Sequence, residues 1–395
     1  MYTEVKVSFE KLAAYCELND YQGFDPYDGL SSKFFRSLPL INKNRLARLV
    51  WIQGFKKLPF NLRPLFGINK EYNPKALGLF LSGYVLLYRE TPQKDYLDRI
   101  AFLSDKILSL STQGYSGNCW GYNFDWESKA FFLPRYTPTV VVSSYVANAL
   151  LDAYDVYPDK RLIDAARSTC DFILKDLNRI YDDHGDFIFS YSKFDNSAVY
   201  NASLLGSRLL ARVYSLTGEK FLLEEARKSV NYVCNCQKED GSWTYGKLPF
   251  HQWIDNFHTG FNLECIHDFI KYSGDHTFDP FLKKGFRYYT DTFFTPEGIA
   301  KYYNNSIYPI DIHSPAQLVV TVCKLGLLKE NIELVDRVLK WTIENMQSDK
   351  GFFFFQKRKY LTTRISYMRW SQAWMFYSLS NYLFYISGKV KGESE

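Results

Sequence analysis

The chain has 395 residues, 46% of them apolar and 23% charged, which is enough for a full core and excludes disorder as its dominant state. Its net charge of +5 reads as mild and spread along the chain, so nucleic acid is not an expected partner. The unusual number is the aromatic content, 32 Phe, 31 Tyr and 8 Trp, which implies large packed rings or a cavity lined by them.

The opening residues, 1–20, carry acids early and have no apolar h-region, so no signal peptide is expected. No run approaches the roughly 18 apolar residues of a transmembrane helix. The seven cysteines are odd in number and irregular in spacing, which fits free thiols in a reducing compartment. A soluble, cytoplasmic protein is expected, with work at a membrane surface among partners left open.

A repeat runs through the chain. Gln237, Gly241 and Trp243 read Q-x-x-x-G-x-W, and Gln347, Gly351 and Phe353 read Q-x-x-x-G-x-F. Gln113, Gly117 and Trp120 vary the pattern, while Gly185 and Gly298 stand at matching places without the glutamine. The five glycines are separated by 68, 56, 57 and 53 residues. Such a period is one helical hairpin per repeat.

Apolar helices are predicted near 74–90, 138–156, 198–216, 260–273, 315–328 and 367–387. Asn73-Pro74, Thr137-Pro138 and Ser314-Pro315 supply cap-then-proline starts, with Ser197 and Thr259 in the same place. More amphipathic helices are predicted near 94–112, 160–179, 219–236, 278–293 and 331–347, and segment 41–58 supplies a sixth. Short aromatic strands or loop hairpins follow the glycines. Helices apolar all round alternating with helices that have one wet face imply an inner barrel and an outer ring. The fold class is therefore all-α, an (α/α)6 toroid of six hairpins in one domain over 1–395. Residues 1–40 form an extension packed on the ring, and 388–395 form a frayed tail. An open α-solenoid shares the periodicity, but the matching ends favour a ring.

The Q-x-x-x-G-x-W repeats resemble the QW motifs of terpenoid cyclase and prenyltransferase toroids. The cyclase acid D-x-D-D is absent. Asp182, Asp183 and Asp186 read D-D-x-x-D, but at a repeat glycine, where a turn explains them. Longer strings resemble a bacterial family encoded among exopolysaccharide and capsule biosynthesis genes. They are GFDPYDGLSSKFF (23–35), NPKALGLFLSGY (73–84), CWGYNFDWESKAFFLPRYTPTVV (119–141), WIDNFHTGFNLE (253–264) and YPIDIHSPAQ (308–317). That resemblance implies a context, surface-polysaccharide biosynthesis, rather than a mechanism. A saccharide or lipid-linked oligosaccharide is the partner it implies, and peripheral association with polysaccharide-biosynthesis machinery is left open.

In such a ring, the loops entering the inner helices converge on one mouth, where helix N-termini favour anionic or oxygen-rich ligands. Asp255 with His258 and Asp311 with His313 are the leading catalytic candidates, since both histidines are read one residue before a helix cap in successive repeats. An imidazole beside a carboxylate serves as acid or base near neutral pH. The same four groups could hold a metal, or the aspartates could only cap; the pattern calls for no cofactor. Substrate-binding candidates are Asp28, Arg135, Tyr136, Asn196, Arg369, and the aromatic-flanked Asp125, Trp126 and Glu127. Trp243 either reaches the same mouth or wedges the hairpins. Paired carboxylates beside rings suit carbohydrate. Acid–base catalysis by an epimerase, lyase or hydrolase leads. An isoprenoid-binding toroid and a glycan-binding scaffold are the rivals.

Overall fold

A computed structural model describes residues 1–128 and 131–392. The repeat folds as alternating inner and outer helices. The inner helices are α4 (Pro74–Glu90), α6 (Val140–Tyr154), α8 (Tyr200–Thr217), α10 (Asn256–Ser273), α12 (His313–Lys324) and α14 (Ala373–Gly392). Each packs on the next, and α14 returns to α4, so the ring is closed. Small residues and aliphatics on every side let these helices bury all round. In α6 the buried set includes Val140, Ser143, Ala147, Leu150 and Leu151.

The outer helices α5 (Lys94–Ser109), α7 (Lys160–Asp176), α9 (Lys220–Asn235), α11 (Asp279–Phe293) and α13 (Ile332–Met346) bury one stripe each. The sixth place in the outer ring belongs to α1 (Tyr2–Leu18), which packs on α14. This corrects the expectation that 41–58 fills it. That segment forms α3 (Arg45–Lys57), which lies over the mouth side against residues 28–31 and 126–127, with the short α2 (Lys33–Arg36) before it. The apolar residues Val5, Phe9 and Leu12 give α1 the buried stripe an outer helix needs. Helix α14 runs to Gly392, into the stretch expected to fray, and 393–395 lie outside the described residues.

The repeat glycines explain how one hairpin meets the next. Gly351 has φ +92° and lies so close to α1 that a Cβ would stand 2.3 Å from the Lys11 carbonyl oxygen. Gly241, at φ +95°, would meet the Lys284 carbonyl of α11 at 2.5 Å. The glutamines complete the join. Gln347 Nε2 donates to the carbonyls of Gly351 and Ser8, and Gln237 Nε2 to those of Gly241 and Phe281. The ring of Trp243 is buried and its Nε1–H donates to Val233, so it wedges its hairpin and does not reach the mouth. Gly185 differs: no described atom beyond its chain neighbours stands within 4 Å of its Cβ position, because it lies in the exposed turn between β1 (Arg179–Tyr181) and β2 (Phe187–Phe189). Asp182 Oδ1 accepts the amides of His184 and Asp186 there, so the D-D-x-x-D string is a turn outside the ring.

The far end of the barrel holds buried ion pairs, Arg208–Asp268 at 2.6 Å and Arg212–Asp152 at 2.8 Å, beside Lys324–Glu264 at 3.6 Å. No described helix is long and apolar enough to cross a membrane.

Gly351→Ala is expected to lower stability by about 2–4 kcal/mol, from the positive φ and the collision with Lys11. Gly54→Ala, mid-helix with open space around it, is expected to add about 0.5–1 kcal/mol. Denaturant titration of both variants checks the pair.

Candidate functional site

A cavity of about 460 Å³ opens among the N-terminal ends of the inner helices. Its size falls within the roughly 300–1,000 Å³ of small-ligand sites. The wall is built from helix starts and the loops that lead into them.

Asp255 is the N-cap of α10. Its Oδ1 accepts the His258 amide at 3.0 Å, and its Oδ2 accepts both His258 Nδ1–H at 2.7 Å and Trp253 Nε1–H at 2.9 Å. One carboxylate thus starts the helix and orients the imidazole. A carboxylate here can only accept, so Nδ1 carries a hydrogen, and in the neutral ring the lone pair then lies on Nε2. The ring stands 4.6 Å from Tyr245, which stacks on Trp253 at 4.5 Å. His258 is partly exposed and lines the cavity.

His313 differs from the expected twin. It is the first residue of α12, whereas His258 is the third of α10, so the two are not equivalent in their repeats. Ser314 lies inside α12 rather than capping it, and Thr259 lies inside α10 because Asp255 takes the cap. Asp311 does not touch the His313 ring. It accepts the His313 amide at 3.0 Å, Trp370 Nε1–H at 2.8 Å and Gln356 Nε2–H at 2.7 Å, so both of its oxygens are engaged. Burial pushes the Asp311 carboxyl up.

The His313 ring stacks on Phe257 at 4.4 Å and 8°, with Trp374 at 4.2 Å, and neither ring nitrogen has a hydrogen-bond partner among the described residues. An orphaned buried polar group costs about 1–3 kcal/mol. Here it lines the cavity, where a ligand would pair it. Burial first, then the charges of Lys75, His258 and Arg369, hold His313 well below the usual histidine range. Burial pulls His251, also on the wall, down to about 4.

Arg369 comes from a single π-helical turn, Met368–Gln372, that leads into α14. Asp25 holds its Nε at 2.5 Å and its Nη2 at 2.8 Å, fixing the guanidinium in the wall 5.0 Å from the Tyr122 ring. Lys75 follows the cap Asn73 and Pro74 at the start of α4, and its Nζ lies 4.1 Å from the Tyr145 ring centroid. Burial and the nearby Arg369 hold its amine well below the usual lysine range, with Asp25 pulling the other way. Lys56 Nζ donates to Tyr27 Oη at 2.7 Å. Trp126, Tyr122 and Tyr191 form an aromatic wall, with Trp126 6.1 Å from Tyr122 and 5.7 Å from Tyr191.

The structure therefore brings His258, His313, Arg369 and Trp126 to one cavity, with Asp255 and Asp311 directly behind. The other candidates lie elsewhere. Asp28 is buried against Arg63 at 2.7 Å, and burial raises its carboxyl to about 6. Asp125 is taken by Arg36 and the Arg135 amide, and Glu127 by Arg48 and Arg45. Those carboxylates tie residues 33–57 to the ring instead of facing the cavity. Arg135 pairs with Glu71 and the Tyr136 hydroxyl, and Asn196 is exposed on a loop. Among the described lining residues, none is Asp or Glu.

Sequence reasoning pointed to Tyr122 as an aromatic platform beside Trp126 but missed Lys75, Lys56, His251 and the other wall tyrosines, Tyr27, Tyr191, Tyr245, Tyr302 and Tyr303. Lys75 carried a signal: it is a cation at the N-terminus of an otherwise apolar helix, against both the dipole and the pattern of burial. The missed tyrosines carried none, since 31 tyrosines are spread through the chain.

No protein-family model matches the chain. No curated protein matches it either. Solved structures share its fold, the (α/α)6 toroid. It is similar to cellobiose 2-epimerase from Bacillus thermoamylovorans, with a TM-score of 0.62 and 13% identity over 80% of this chain and 90% of that one. An unsaturated glucuronyl hydrolase specific for heparin matches with a TM-score of 0.61 and 10% identity over 99% and 97%. A polysaccharide lyase matches with a TM-score of 0.56 and 12% identity over 78% and 90%. At these identities the likeness shows the fold.

His251 and His313 are expected to cost stability as pH drops from about 6.5 toward 4, opposed by Asp28 and Asp311, whose raised carboxyls take up protons in the folded chain. The unfolded chain takes up protons on His251 and His313 near 6.5, while the folded chain resists them. Unfolding followed from pH 7 to 4.5 should show a shallower slope in the His251→Asn/His313→Asn variant.

Proposed function

We propose that the cavity carries acid–base proton transfer on an anionic saccharide, as an epimerase or lyase performs it. One observation supports this above the rest: the described wall holds imidazoles, cations and rings but no carboxylate. Glycoside hydrolysis by paired acids needs two carboxyl groups facing the sugar about 5–10 Å apart. Asp25, Asp255 and Asp311 are each spent on a neighbour.

In this reading His258 Nε2 removes a proton from carbon beside a carbonyl or carboxylate, and Asp255 stabilises the imidazolium that forms. Arg369, steadied by Asp25, holds the substrate's carboxylate and the negative charge that develops on it. Trp126 and Tyr122 stack on the sugar's apolar face. Lys75 returns a proton from the other side for epimerisation, with the neutral His313 hydrogen-bonding the sugar beside it; loss of a leaving group gives elimination instead.

The surface-polysaccharide context and a link to assembly machinery rest on the resemblance of strings such as residues 119–141, and a cytoplasmic location on the N-terminal residues and the cysteine pattern. The isoprenoid reading is disfavoured because Lys75, His313 and Arg369 are buried in the cavity where a prenyl tail would need apolar wall.

Wild type incubated in D2O with uronate-containing and neutral oligosaccharides is expected to place deuterium on a sugar carbon of the uronate substrates. His258→Gln should lose roughly 10²-fold or more of that exchange, and Asp255→Asn should follow it. Hydrolysis without exchange, or exchange untouched in both variants, would overturn the proposal. Thermal stabilisation by prenyl diphosphates alone would move the weight to the isoprenoid rival.

A further inference from the structure

The positive charge of this chain is not spread along it. Residues 29–70 contain nine lysines and arginines and no acid. The whole chain carries +5 and this stretch +9, so the rest carries −4. The stretch spans α2, α3 and the loops around them, on the mouth side of the ring.

It also holds a cluster of exposed large apolar side chains: Phe34, Leu40, Leu46, Val50, Phe60 and Leu65. Leu40 is 89% exposed and Leu65 79%. Helix α3 shows how the surface is made. Ile52 and Phe55 bury its inner face. Leu46, Val50, Gln53 and Lys57 follow the i, i+4, i+7, i+11 row of the opposite face, and all four are exposed. Asn44 caps this helix, and its last turn carries Lys56 and Lys57. The hairpin loop 358–361 stands beside it, tied by Arg358 Nη1 donating to the Lys57 carbonyl at 3.4 Å. That loop adds Lys359 and an 87% exposed Tyr360. Lys33, Lys43 and Lys57 make no ion pair among the described residues.

We infer that this face docks the protein on an anionic lipid bilayer, with the cavity mouth beside the membrane surface. Charge complementarity selects the occupant. A polyanion such as nucleic acid would be met by the cations alone and gains little from exposed leucines. Lysines interleaved with single leucine, valine and aromatic side chains are what an interfacial helix presents, apolar side chains entering the headgroup boundary and cations meeting lipid phosphates. Gln53 and Lys56 of the same helix line the cavity, so docking would set the mouth at headgroup level. The inference is independent of the reaction proposed above.

The test is co-sedimentation of the full chain with phosphatidylcholine vesicles, and with vesicles containing about one third phosphatidylglycerol. Binding to the anionic vesicles is expected to exceed binding to neutral ones by about tenfold or more, and to weaken steeply at high salt. Leu46→Ser/Val50→Ser and Lys43→Gln/Lys57→Gln should each reduce it about fivefold or more while the thermal unfolding midpoint stays put. None of these four residues lines the cavity, so proton exchange on a soluble saccharide should persist in both variants. Absence of binding to anionic vesicles would overturn the proposal, as would binding unchanged in both variants. Retention by heparin or RNA with none by vesicles would identify a polyanion site instead. Dimerisation lost in the leucine–valine variant, without vesicle binding, would identify a self-association face.

Discussion

The contact on which this structure depends is that of a glycine backbone pressed against the carbonyl of the next outer helix. At Gly241 and Gly351 no side chain fits, and a glutamine four residues earlier ties both segments with one amide group. The spacing it sets between hairpins is also the spacing between inner helix starts. The cavity is what remains when six such starts converge. Its position is therefore a property of the ring, and its chemistry a property of the few residues at each start.

Those residues do double duty. Asp255 ends a loop, caps a helix and orients an imidazole with the same two oxygens. Asp25 and Arg369 stand 344 residues apart in sequence, and their two hydrogen bonds join the first loop to the last repeat while placing a guanidinium in the wall. The cavity wall is not a loop added to a finished scaffold. The groups that close the structure also hold the side chains of that wall, so their substitution should disturb both.

The ring was legible because its signals are periodic and local. Alternating apolar and amphipathic stretches place ten of the ring helices to within a few residues, and the recurring glycine marks the joins. What was not legible depends on three dimensions. Segment 41–58 has a helical pattern and sits near the start of the chain, so it passes for an outer helix; only packing shows that α1 holds that place. Asp125 and Glu127 look like a catalytic pair because aromatics flank them, yet their partners, Arg36, Arg45 and Arg48, lie some 80 to 90 residues away in sequence. His258 and His313 look equivalent until their helices begin at different registers. Lys75 could have been found from its place on an apolar helix.

The closing contact has a consequence for how the protein is made. Lys11 lies near the start of the chain, and Gly351, its partner, near the end. At roughly 5–20 residues per second of translation, α1 emerges from the ribosome about 20–70 s before the glycine that will cover it. For that interval Val5, Phe9 and Leu12 have no neighbour to bury them. Helix α1 is made well before the hairpin that seals it, and the nascent chain must keep a sticky segment soluble until that hairpin arrives.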